Sequence, residues 1–185
     1  MNSPRIIAGK YKNLKLKIPL GIRPITESVK TTLFDILDNN YSYKFVADLF
    51  SGSGNIGIES LSRRATHVTF LESDSDSVKI ILENLHKAQV SEDSYYIYNY
   101  DFDRFLRKSP NNTFDLIIAD PPFNLITSIP LYKLKDKIVK DGVIVIKIPT
   151  GVNLSQLNSL KVFNLIRLEK IGENTLIFLK SKISQ

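Results

Sequence analysis

The sequence predicts one doubly wound α/β domain, a parallel sheet covered by helices on both faces, and three observations carry that prediction. From residue 45 onward, short apolar runs alternate with amphipathic stretches. The apolar runs are solid rather than alternating with polar residues, as in strands buried on both sides. At 185 residues and 43% apolar content, the chain has the size of a single domain that can bury its own core.

Each element has a local reason. Arg5–Ala8 and Leu14–Ile18 read as two short strands around the turn-forming stretch Gly9–Asn13. Thr26 is a helix N-cap with Glu27 in the first turn. Val29, Leu33, Ile36 and Leu37 then recur at helical spacing, which predicts a helix over 27–38. Phe45–Phe50 is a strand, Ile56–Arg64 a helix and Val68–Leu71 a strand. A helix over 76–88 gathers Val78, Ile81, Leu82 and Leu85 on one face. Tyr95–Tyr100 is a strand, Phe102–Lys108 a short helix and Asp115–Asp120 a strand, followed by a helix over 129–140 and a strand at Val143–Ile148. Lys161–Glu169 and Thr175–Leu179 form a terminal hairpin around Gly172-Glu173-Asn174, with one antiparallel strand at the sheet edge. Residues 1–40 make a basic extension of hairpin and helix, and residues 41–185 the main domain.

Composition narrows the chemistry. No apolar run approaches the ~18 residues of a membrane-spanning helix, and the N-terminus has no signal-peptide apolar segment, so the expected location is cytoplasmic. There is no Cys, and His67 and His86 are the only histidines, so thiol chemistry, disulfides and a Cys/His metal centre are excluded and no metal is expected. Residues 1–30 carry seven Lys or Arg against one acid, which accounts for the whole net charge of +6. A neutral body with a basic front edge fits docking on phosphates, or else a solubilising segment.

The strand ends are acidic. The first strand runs through Asp48 into Ser51-Gly52-Ser53-Gly54-Asn55-Ile56-Gly57; later ones end at Glu72, Asp101 and Asp120. In an open parallel sheet this is the rim where ligands bind. Gly52, Gly54 and Gly57, with an acid 20 residues after Gly52, match the dinucleotide fingerprint. A pyrophosphate, however, prefers a helix N-terminus without acidic neighbours. The acidic rim suits a cationic ligand with ribose and amino donors and no phosphate, and S-adenosyl-L-methionine is such a ligand. Glu72 fits a ribose diol; Asp101 and Phe102 fit an adenine.

Asp120-Pro121-Pro122-Phe123 is the sharper signal. Two prolines end a central strand, but that does not account for the carboxylate before them or the aromatic after them. An exocyclic amine on a nucleobase is a poor nucleophile because its lone pair is delocalised. Asp120 and a backbone carbonyl of the Pro121–Pro122 segment would accept its two hydrogens and favour the lone pair as positive charge develops. Phe123 would stack on the base, worth ~1–3 kcal/mol.

With these residues assembled, the sequence resembles the RsmD family of bacterial 16S ribosomal RNA guanine-N2 methyltransferases, which act on guanine 966. The likeness spans nearly the whole chain: Arg5-Ile6-Ile7-Ala8-Gly9, Arg23-Pro24-Ile25-Thr26 leading to Leu33-Phe34, Asp48 through Gly54, Gly57, Glu59 through Arg63, Glu72 and Asp120 through Phe123. The resemblance implies a Rossmann-like seven-stranded fold and S-adenosylmethionine as methyl donor. Its substrate would be 16S rRNA within small-subunit particles, acted on by a monomer. By position, Asp48, Ser51, Gly52, Gly54, Glu72, Asp101 and Phe102 would hold the donor. Asp120, Pro121 and Phe123 would hold the guanine, and Arg5, Lys10, Lys12, Arg23 and Lys30 would grip RNA. Ser28 and Lys30 stand where the family usually carries two arginines. The same acceptor geometry would also serve an adenine N6, and a non-catalytic RNA-binding assembly factor would keep the fold; methyl transfer separates these readings.

Overall fold

The computed structural model describes residues 3–153, 157 and 160–182. Five strands run parallel: β1 (Phe45–Leu49), β2 (His67–Leu71), β3 (Tyr95–Tyr98), β4 (Phe114–Ala119) and β5 (Ile138–Pro149). With β6 (Phe163–Ile171) and β7 (Asn174–Ser181) they make one sheet of order β3-β2-β1-β4-β5-β7-β6. The helices are α1 (Glu27–Asn40), α2 (Asn55–Arg63), α3 (Ser75–Lys87) and α4 (Phe102–Lys108).

Side chains alternate across the sheet, so each strand feeds two cores. Val46, Val68, Leu116 and Val145 pack with Leu33, Ile58 and Leu85 on one face. Ala47, Ile117 and Ile144 pack with Phe105, Leu131 and Leu134 on the other. Both faces are therefore covered, as the solid apolar strands predict.

Three local expectations are corrected. The antiparallel strand is β7, and it lies inside the edge strand β6. Leu176 to Leu179 are all buried, whereas β6 is mostly exposed, so the apolar strand takes the inner place. The helix expected over 129–140 is a 3-10 helix at Leu131–Asp136. Leu131 and Leu134 are both fully buried, and a spacing of three is the 3-10 repeat. The chain then leaves for β5, where the Lys137 carbonyl accepts from the Thr113 and Phe114 amides.

Near the N-terminus, the two strands reduce to a single antiparallel bridge, Arg5 to Lys15, because the hairpin docks on α2 instead of extending. Glu59, fully buried, accepts from the Ile7 and Ala8 amides at 2.8 and 3.1 Å. Ser62 takes the Lys10 amide on its carbonyl and the Tyr11 amide on its hydroxyl. Ile6 and Leu16 enter the same core as α1 and the sheet.

Candidate active site

The carboxyl ends of β1, β2 and β4 open on a cavity of about 1030 Å³. Gly52, Glu72, Asp101, Phe102, Asp120 and Pro121 all line it. Sequence reasoning brings these residues to one rim, and the structure places them around one space.

The glycine loop is built from behind. Asp48 is 3% exposed, and its carboxylate accepts from the Gly57 amide at 2.9 Å. Burial pushes its carboxyl up to about 8, with Asp120 and Glu72 adding to the rise and the Gly57 amide opposing it. Gly57 is required there: a Cβ would stand 2.1 Å from the Phe70 ring, so only glycine lets α2 begin this close to β2. Ser51 donates its hydroxyl to the Asp48 carbonyl at 2.7 Å, and Gly54 is the left-handed N-cap of α2. Asp48, Ser51 and Gly54 are thus not among the residues that line the cavity. Their polar atoms close the loop that forms this side of the cavity wall.

Glu72 ties the end of β2 to that loop. Its two oxygens accept from the Gly52 amide at 2.8 Å and the Asp74 amide at 2.9 Å. Asp101 caps α4, accepting from the Arg104 amide at 2.7 Å. Phe102 stacks on Phe50, with centroids 5.6 Å apart and planes at 21°. Phe50 has φ 63°, a left-handed conformation that costs an aromatic residue about 1–3 kcal/mol. It lines the cavity as well, although the motif from Asp48 to Gly54 that contains it gives it no role in the sequence reading.

Asp120 does not stand alone. Lys147, from β5, reaches its carboxylate at 2.6 Å and lines the same cavity. Burial pushes the Asp120 carboxyl up, and Lys147 counteracts that push. Sequence reasoning missed Lys147, although a cation inside the apolar run Val143–Ile148 was the available signal. Phe123 begins a single 3-10 turn directly after the two prolines, and its side chain lies outside the described residues.

Of the basic residues, Arg23 is exposed and lines the cavity beside Gly21 and Ile22. Lys10 and Lys12 are exposed on the hairpin. Arg5 is exposed and paired with Glu27 at 3.0 Å. Lys30 cannot grip RNA as expected. It is 1% exposed, pairs with Glu59 at 3.0 Å and donates to the Arg5 carbonyl and Asn55 side chain. Its charge is used up in joining α1, the hairpin and α2.

A family model described as Conserved hypothetical protein 95 matches residues 4–180. The chain belongs to this family, the RsmD family. One RsmD relative, the ribosomal RNA small subunit methyltransferase D of Haemophilus influenzae, is 37% identical over 123 residues, which span 65% of this chain and 64% of that protein. A Bacillus subtilis relative named as a candidate rRNA methyltransferase is 30% identical over 162 residues, covering 82% of this chain and 86% of its own. Among solved structures, a candidate methylase from Haemophilus influenzae matches with TM-score 0.76 at 28% identity, over 97% of this chain and 98% of that one. A candidate methyltransferase from Escherichia coli matches with TM-score 0.82 at 24% identity over 98% and 99% of the two chains, and so speaks for the fold alone. The RsmD chain has the class I S-adenosylmethionine-dependent methyltransferase fold.

The residues present fit that donor, which carries a sulfonium and an ammonium. Asp120 and Glu72 add to the cost of ionising Asp48, which has no ion pair among the described residues. A cation entering beside them relieves that cost.

Proposed function

We propose that this protein transfers a methyl group from S-adenosylmethionine to the exocyclic N2 of a guanine in small-subunit ribosomal RNA, guanine 966 of 16S rRNA. The observation that carries the reading is the Asp120-Pro121 corner, which lines one cavity with Gly52 and Glu72. Acceptors for an amino group thus stand across from residues suited to the donor. The names of the RsmD relatives support ribosomal RNA as the substrate class.

When bound, the donor supplies an electrophilic methyl on a sulfonium. Asp120 accepts one N2 hydrogen and the Pro121 carbonyl the other, which turns the nitrogen lone pair toward that methyl. As the S–CH3 bond breaks and the N–CH3 bond forms, positive charge appears on N2 and Asp120 stabilises it. The N2 proton then leaves through Asp120 to water. Phe123 stacks on the base. Lys147, which pairs with Asp120 at 2.6 Å, must yield part of that carboxylate as the amine arrives. A paired guanine cannot present N2 inside a recessed cavity, so the base enters flipped or unpaired.

The test is to incubate the protein with methyl-labelled S-adenosylmethionine and small subunits from cells lacking it, then digest the RNA and identify the labelled nucleoside by mass spectrometry. N2-methylguanosine is expected. N6-methyladenosine would keep the amine chemistry and overturn the substrate; no label despite donor binding would overturn the catalytic reading.

A further inference from the structure

Leu20 is the most exposed large apolar side chain among the described residues, at 104% of its reference area; the next, Leu165, stands at 54%. Single exposed leucines are common on protein surfaces. This one is distinguished by how it is held and by what adjoins it.

Leu20 occupies the tip of a turn closed by the Ile22 amide on the Pro19 carbonyl at 3.3 Å. Gly21 supplies φ +80°, the positive value required at the second central position of a type II turn. Both ends of the turn are clamped. Before it, the fully buried Asn84 accepts from the Lys17 amide at 2.8 Å and donates to the Lys17 and Ser53 carbonyls at 3.0 and 2.9 Å. After it, Ile22 packs over Gly52, its Cγ2 3.5 Å from the position of a Gly52 Cβ. The tip is thus a fixed projection anchored on the glycine loop.

Its surroundings name its partner. The three residues that follow, Gly21, Ile22 and Arg23, line the cavity mouth. Lys15 before it and Arg23 after it are exposed, as is Lys17, whose ammonium pairs with Glu83. An apolar tip between cations, beside a cavity that takes a base, matches the side chains that enter a nucleic-acid stack when a base is withdrawn from it. The cations hold the phosphates, and the apolar tip occupies the step that the base vacates.

We propose that Leu20 is a wedge that enters the RNA base stack as the target base moves into the cavity. This rests on the reading of the cavity as a nucleobase site. The test compares the unaltered protein with Leu20→Ala and Leu20→Met, measuring single-turnover methylation of undermethylated small subunits and of a short unstructured RNA carrying the same guanine. Because Leu20 packs against nothing, melting temperature and S-adenosylmethionine affinity should match in all three. On subunits Leu20→Ala should be slower by about tenfold or more, with Leu20→Met restoring the rate, while on the unstructured RNA all three should agree. Equal rates on subunits, or an equal loss on both RNAs, would overturn the wedge. If even the unaltered protein labels no guanosine, the nucleobase reading itself fails and this inference falls with it.

Discussion

Asp48→Asn should make the protein more stable and a poorer binder of its donor, and the size of both effects follows from one buried carboxylate. Burial holds its carboxyl up at about 8 in the folded protein, above the ordinary value of 3.8. Below 3.8 the group is protonated in both states and contributes nothing. Between 3.8 and about 8 the unfolded chain ionises while the folded one holds its proton, so stability falls by ~1.4 kcal/mol per pH unit. Above about 8 the loss levels off, at roughly 6 kcal/mol. Asparagine keeps an oxygen for the Gly57 amide and removes the charge, but its NH2 needs a partner, costing ~1–3 kcal/mol. The net gain should be about 3–5 kcal/mol at alkaline pH, or about 6–20 °C in melting temperature for a domain of this size. Melting curves of the two proteins from pH 4 to pH 9 should cross about one to two units above pH 4, where the penalty for ionising Asp48 first outweighs the unpaired NH2, and diverge from there as pH rises. Titration of the donor should show affinity reduced by about tenfold or more, since the amide no longer offers a cation its counter-charge. A variant no more stable than the parent at pH 9, or a difference that does not grow with pH, would refute this account of Asp48.

Three further outcomes follow from the same geometry. Asp120→Ala should abolish methyl transfer and leave donor binding intact by calorimetry; turnover above about a tenth of the parent would remove Asp120 from its role. Lys147→Met removes the group that holds the Asp120 carboxyl down, so the acid limb of the pH–rate profile should move to higher pH, whereas an unmoved limb would show that the 2.6 Å contact does not govern Asp120. Glu59→Ala strands the buried Lys30 ammonium and two hairpin amides, so urea unfolding should register a loss of about 3–5 kcal/mol.

Where the sequence speaks through period and charge, it was legible. The parallel strands are solid apolar runs, and the acids at their ends mark the rim because a strand has only one carboxyl end to offer. What stayed hidden depends on contacts far apart in the chain. Nothing near Lys147 points to a partner 27 positions earlier, because the pairing exists only once β5 lies beside β4. The order of β6 and β7 is likewise decided by which strand gains more from burial on both faces. Lys30 misled because a lysine in a basic segment is ordinarily solvated; here the carboxylate that holds it, Glu59, lies in another helix.

The run from Asp48 to Arg63 gains a physical explanation from α2. At its start, the Gly57 amide fixes Asp48 and so the glycine loop. Two residues further on, Glu59 fixes Lys30 and the hairpin amides, and Ser62 and Arg63 continue the same attachment, Arg63 by pairing with Asp38 at 2.7 Å. One short helix therefore sets the glycine loop with its first turn and the N-terminal hairpin with its last. Arg23 and the Leu20 turn follow the hairpin, and Gly21, Ile22 and Arg23 reach the cavity. The distance between the edge proposed to meet RNA and the site of transfer is thus set by rigid backbone within α2, so weakening Glu59 should disturb RNA methylation more than donor affinity. Equal losses in both would mean that the hairpin and the loop do not share this single support.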